Sequence, residues 1–275
     1  MKMKRSEKLG MFTGLVVGVL LLLISVFMIF QTTCKVWGAE KPANATQQGI
    51  DVSSHQGKID WEQVKNSALA DYAIIRCGYG VNQTDKDDKY WDYNSSECER
   101  LGIPYGTYLY SGADTTAKAK SEAEHVVRLL QGKNLTYPIY YDMEADMLNQ
   151  LSSTQIGNVA KTFLNTMESY GYKNVAVYSN KYLFETKLTA SVFSDYPKWI
   201  AQHSNKCTYQ GSYHMWQYST QGVIPGISEK VDLNYKIGNW TYAGYSSAKK
   251  TVVVKPKATT IKSLRKSGKK AVKIT

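Results

Sequence analysis

The residues best suited to chemistry lie in the stretch Tyr137-Pro-Ile-Tyr-Tyr-Asp-Met-Glu-Ala-Asp146. It reads as a short buried strand, Ile139 to Tyr141, that ends in acid. Side chains alternate faces along a strand, so Asp142 and Glu144 point the same way. Two adjacent carboxylates do not both ionise cheaply, and one keeps its proton toward neutral pH. A protonated acid beside a charged stabiliser is what general acid catalysis requires. Asp-x-Glu alone fits solvated loop acids or a metal site equally well, so the surrounding elements must decide.

Those elements alternate. Gly49–Val52, Tyr72–Cys77, Tyr105–Tyr110, Ile139–Tyr141 and Val175–Ser179 read as strands. Helices follow them. Trp61–Ser67 is capped by Asp60, and Tyr90–Leu101 stops at Gly102. A third helix is capped by Asp114 and stops at Gly132, and a fourth opens on the capping box Ser152-x-x-Gln155. Past Tyr182–Leu188 the helices shrink, and Lys198–Gln202, Tyr213–Tyr218 and Val231–Asn234 follow as strands. The pattern predicts an α/β fold: a TIM-like barrel with five β/α units followed by three strands. Trp61 and Trp91 are expected in the core.

In such barrels the working residues sit at the C-terminal ends of the strands. That rule gathers Asp51, Arg76, Tyr79, Tyr110, Asp142, Glu144, Tyr178, Trp199, Gln202, Trp216 and Asp232 at one mouth. Aromatic faces beside carboxylates suit a sugar, whose C–H face stacks on a ring while its hydroxyls find acceptors. The chain holds 21 Tyr and 6 Trp against 6 Phe, a bias toward rings that are both apolar and hydrogen-bonding. Trp216 is the ring most readily assigned to stacking. His55 is expected to order the Asp51 loop rather than move protons.

The basic surplus lies in the ends. The net charge is +11, and residues 242–275 carry ten Lys/Arg and no acid. The central region has no basic surplus and no binding motif, which argues against nucleic acid as a partner. Lys2, Lys4, Arg5 and Lys8 precede the uncharged stretch Met11–Phe30. Twenty helical residues span roughly 30 Å, enough for a bilayer core. The expectation for residues 1–40 is a cytoplasmic basic flank and one transmembrane signal-anchor helix, with the rest outside the cell. A cleaved signal peptide and a secreted product is the alternative. Residues 41–48 read as a linker, 49–241 as the barrel, and 242–275 as a basic tail that adheres to anionic wall polymers. That tail also resembles the opening strands of a β-sandwich wall module. The cysteines lack CxxC spacing; a Cys77–Cys98 bridge competes with free thiols.

Five segments carry a resemblance. Gly49-Ile-Asp-Val-Ser-Ser-His-Gln-Gly57, Ile75-Arg-Cys-Gly-Tyr-Gly80, Tyr140-Tyr-Asp-Met-Glu144, Met215-Trp-Gln-Tyr218 and Val231-Asp-Leu-Asn234 together resemble the glycoside hydrolase family 25 lysozymes, bacterial and phage muramidases. The resemblance runs over about 47–240. It implies cleavage of the β-1,4 bond between N-acetylmuramic acid and N-acetylglucosamine in peptidoglycan. Glu144 would be the general acid, Asp142 its stabilising partner, and Asp51 and Asp232 further pocket acids. No metal and no cofactor are implied. Both a protein nucleophile and assistance by the substrate acetamide remain open; the second is the preferred expectation. Two other readings compete: a chitinase-like hydrolase, whose longer acid run is absent before Glu144, and a non-catalytic glycan-binding protein.

Overall fold

The computed structural model describes residue 18, residues 39–241 and the backbone of residues 245–246. The expected membrane helix and the bulk of the basic tail lie outside these residues. Among the described residues no helix is long and apolar enough to cross a membrane.

Eight strands close into a barrel: β1 (Ala45–Val52), β2 (Tyr72–Tyr79), β3 (Tyr105–Tyr110), β4 (Ile139–Asp142), β5 (Val175–Asn180), β6 (Lys198–Ala201), β7 (Met215–Gly222) and β8 (Val231–Ile237). Neighbours from β1 to β7 are parallel. β8 runs antiparallel to both β7 and β1. This departs from a fully parallel reading, and it matters for the site. Asp232 stands near the start of β8 yet pairs with Asp51 near the end of β1. Reversal of that one strand brings its beginning to the mouth.

Helices α1 (Trp61–Ser67), α2 (Trp91–Leu101), α3 (Thr116–Leu129) and α4 (Ser153–Ser169) cover the outside, with the short α5 (Lys181–Thr186) after β5. Asp60 caps α1, and the capping box of Ser152 and Gln155 opens α4. For α3 the cap is Thr115; Asp114 instead pairs with Lys118 at 2.8 Å. β1 begins inside the segment read as linker, because residues 45–51 find ladder partners on β8. α4 buries Ile156, Val159, Phe163, Leu164 and Met167, each worth about 1.5–3 kcal/mol. Trp61 and Trp91 are fully buried, as expected of core residues. Cys77, Cys98 and Cys207 are free thiols, so no Cys77–Cys98 bridge forms.

The barrel interior is filled rather than hollow. Tyr72, Ile74, Tyr137, Tyr140, Trp199 and Met215 form one inner cluster. Tyr72 and Tyr137 stack at 4.4 Å. Space for that stack comes from Gly49: a Cβ there would sit 2.4 Å from the Tyr72 ring. Above this aromatic floor the inward positions become polar.

Candidate active site

Alternation fixes which residues face the mouth. Asp51, Arg76, Tyr108, Asp142, Tyr178, Gln217, Asp232 and Asn234 lie above the inner cluster on successive barrel strands. Asp142 ends β4. Met143 stays in the ladder by donating to the Tyr178 carbonyl at 2.9 Å. Glu144 follows one step beyond, half-buried, on the same face as Asp142.

The hub of the site is Gln217. Its Nε2 donates to Asp51 Oδ2 at 2.9 Å and to Asp232 Oδ2 at 3.4 Å. Its Oε1 accepts from the Tyr178 hydroxyl at 3.0 Å and faces His203 Nε2 at 3.0 Å. An amide oxygen only accepts, so His203 must carry its proton on Nε2. Asn234 Nδ2 donates to the same Asp51 oxygen at 2.7 Å, and Trp199 Nε1 donates to Asn234 Oδ1 at 2.8 Å. One continuous network therefore orients Asp51 and Asp232.

Four carboxyls gathered in one largely buried mouth have raised pKa values. Asp51 lies well above the ordinary carboxylate range, chiefly through burial and then the Asp232 charge, against the hydrogen bonds from Asn234 and Gln217. Asp142 is also raised well above its usual value by burial, Glu144 and Asp51, while Arg76 pulls it down. Glu144 is raised by burial and Asp51, with His203 and the Tyr178 hydroxyl opposing. Burial and the Glu144 charge push Asp232 up to about 6, against its hydrogen bond with Asp51. Asp142 Oδ1 is buried and has no hydrogen-bond partner among the described residues. An unsatisfied buried acceptor is costly and calls for an explanation.

The expected binding residues divide into two groups. Tyr178 stands in the network, and Tyr110 feels the charges of Asp142, Glu144 and Asp146. Trp199 forms the floor, only 1% exposed and 4.4 Å from the Tyr178 ring. Tyr79 lies on the rim, 40% exposed, with Lys86 Nζ 4.9 Å from its ring centre. Arg76 reaches the mouth but is tied to Asp88 at 2.8 Å and Ser54 Oγ at 2.9 Å. Trp216 and Gln202 are not in the mouth. Trp216 is fully buried in the outer layer, its Nε1 on the Gln202 carbonyl at 2.8 Å, and has no face free for a sugar. The Gln202 side chain holds Thr208 in the next loop. Each neighbours a residue that does face in: Gln217 beside Trp216, His203 beside Gln202. A shift of one residue exchanges the faces of a strand. The phase set by Asp232 and Asn234, two apart on the adjoining strand, was the signal that could have selected Gln217.

No group of three or more His, Cys, Asp or Glu among the described residues could hold a metal ion. The arrangement is a barrel mouth with one half-exposed acid, one buried acid with a free oxygen, and two further acids fixed by amides. Fold and site together define a barrel hydrolase of the glycosidase kind. A family model for glycosyl hydrolases family 25 matches residues 50–227, and the chain belongs to that family. It is similar to the autolytic lysozyme of Clostridium acetobutylicum, 30% identical over 188 residues that cover 68% of this chain and 55% of that one. Among solved structures it is similar to the modular autolysin LytC of Streptococcus pneumoniae: 33% identity, TM-score 0.63, 69% of this chain and 46% of that one. A family 25 glycosyl hydrolase from Bacillus anthracis shares the fold, at 21% identity and TM-score 0.65 over 74% of this chain and 95% of that one. The chain thus spans only about half of the pneumococcal and clostridial proteins.

Proposed function

We propose that the protein hydrolyses peptidoglycan, cutting the β-1,4 bond between N-acetylmuramic acid and N-acetylglucosamine. The observation that carries this reading is the pairing of half-buried Glu144 with Asp142, whose buried Oδ1 has no partner among the described residues. Glu144, raised by burial, holds a proton for the departing glycosidic oxygen. Asp142 accepts the N–H of the 2-acetamido group with its free oxygen. The acetamide oxygen then attacks the anomeric carbon, the C–O bond breaks, and the proton of Glu144 passes to the leaving oxygen. The anion of Asp142 stabilises the cyclic cation. Water, activated by the Glu144 carboxylate, opens that intermediate and returns the proton. Asp51 and Asp232 line the pocket as fixed acceptors for sugar hydroxyls. The resemblance to an autolytic lysozyme and to an autolysin with a solved peptidoglycan-ligand complex supports this substrate class.

The test is digestion of purified peptidoglycan by residues 40–275, wild type against Glu144→Gln, with borohydride reduction of the new ends. Muramitol from wild type and none from the variant is the expected result. Glucosaminitol would overturn the bond assignment, and binding without release would overturn the enzyme reading. The same proposal places the catalytic domain outside a bacterial cell membrane, anchored by Met11–Phe30, with the basic tail on anionic wall polymers. Support here is the sequence alone: an uncharged stretch behind a basic flank, and ten Lys/Arg without acid over residues 242–275. Membrane fractionation before and after a salt wash separates an anchor from a salt-sensitive contact.

A further inference from the structure

Arg76 stands among the mouth acids, yet no Asp142–Arg76 ion pair forms among the described residues. The only ion pair of Arg76 there is with Asp88. Asp88 accepts three hydrogen bonds. Its Oδ2 accepts from Arg76 Nε at 2.8 Å and from the Ser54 amide at 2.9 Å, and its Oδ1 accepts from the Tyr90 amide at 2.9 Å. Its side chain is fully buried. Arg76 Nη2 donates to Ser54 Oγ at 2.9 Å. One carboxylate thus joins three pieces: the loop after β1, the guanidinium on β2, and the start of α2. The preceding residue, Asp87, faces the other way and binds Arg128 and His125 of α3. The loop carrying Asp88 is therefore fixed from both sides.

A held arginine differs from a free one here. Asp142 Oδ1 is an unpaired acceptor in a low-dielectric mouth, and a guanidinium is the strongest partner available to it. A direct pair would occupy the oxygen that the substrate needs. We propose that Asp88 is a positioning residue that acts through Arg76: together with Ser54 it tethers the guanidinium, so that the guanidinium does not close on the free oxygen of Asp142. The inference rests on Asp142 being the stabilising acid of the proposed hydrolysis. Asp88 itself does not reach substrate, since its side chain is fully buried.

The test compares four full-length variants on purified peptidoglycan: Asp142→Asn, Asp88→Asn, Arg76→Gln and the double variant Asp88→Asn/Arg76→Gln. Asp142→Asn checks the underlying reading, and full activity there would remove it. With Asp142 required, Asp88→Asn frees Arg76 to pair with Asp142, and kcat falls by at least about a hundredfold, with KM changed far less. Removing the arginine as well restores kcat by at least about tenfold over Asp88→Asn. A role confined to structure predicts the reverse, a double variant no better than Asp88→Asn. The acid limb of the pH profile gives a second readout. Asp142 is also faced by Asp51 on β1, Tyr108 and Tyr110 on β3, Tyr178 on β5 and its own neighbour Glu144. None of these is altered in the series. Arg76→Gln moves the acid limb upward, and Asp88→Asn moves it downward. No rescue, or limbs that move together, overturns the proposal. Should Asp88→Asn fail to fold, Ser54→Ala, which removes only the Nη2 tether, is compared with Ser54→Ala/Arg76→Gln in the same way.

Discussion

Gln217→Met tests the hub of the site. Methionine keeps the length and the apolar stem but removes both amide atoms. Asp51 loses a hydrogen bond of 2.9 Å to a charged group, worth about 1.5–3 kcal/mol. The Tyr178 hydroxyl, buried on a residue 7% exposed, loses its acceptor at a further cost of about 1–3 kcal/mol. His203 is exposed and turns to water. The sum at pH 8 is about 2.5–6 kcal/mol. A domain of this size loses about 2–4 °C per kcal/mol, so Tm falls by roughly 5–24 °C. The loss depends on pH in a definite sense. The folded-state pKa of Asp51 is raised, so its ionisation weakens the fold as pH climbs from about 4, the unfolded value, to the folded one. The Gln217 amide offsets part of that cost once Asp51 is charged. At pH 4.5 Asp51 is protonated in the fold, the contact is neutral, and it is worth about 0.5–1.5 kcal/mol. Thermal unfolding followed by circular dichroism at pH 4.5 and pH 8 reads both numbers. A Tm within 2 °C of wild type at pH 8, or an equal loss at both pH values, would refute the role given to Gln217.

Asp142→Asn should raise Tm at pH 8 while lowering kcat at least about a hundredfold, because burial and like charges oppose its anion and function is kept at the expense of stability. A lower Tm would show that the carboxylate is a structural asset. Asp232 should appear as a carboxyl titrating near 6 in carbon-13 NMR of the aspartate side chains, and that signal should be absent in Asp232→Asn. Ellman's reagent should label Cys207 in the native barrel and leave Cys77 and Cys98 untouched. Both are buried, and burial pushes the Cys77 thiol up to about 12 and raises Cys98 as well. Rapid labelling of all three without denaturant would contradict the packing around them.

Much of the site was legible because its acids stand on strands, where local alternation already says which side chains share a face. Asp142 and Glu144 are two residues apart, and the inference that they face one way needed only the strand. Helix caps at Asp60 and Ser152 were legible for the same local reason, a side chain bonding an amide three residues on. Asp114 shows the limit. Asp114 and Thr115 both suit a cap, and the chain placed Thr115 at the extended position while Asp114 turned to Lys118.

The chain by itself determined the order of strands and helices, the five covered units, and the four acids, all of which follow from periodicity and residue type. It did not determine phase or direction. Trp216 drew attention as a large ring, but only its register against Met215 and Gln217, fixed by pairing with β6 and β8, turns it outward. The same pairing turns Gln217 and His203 toward the acids. The reversal of β8, which carries Asp232 to Asp51, was likewise decided by closure of the barrel. Asp88 is the clearest case. Its contact with the Tyr90 amide is local, but Ser54 and Arg76 lie on other elements, and only the folded sheet brings their donors onto the same carboxylate.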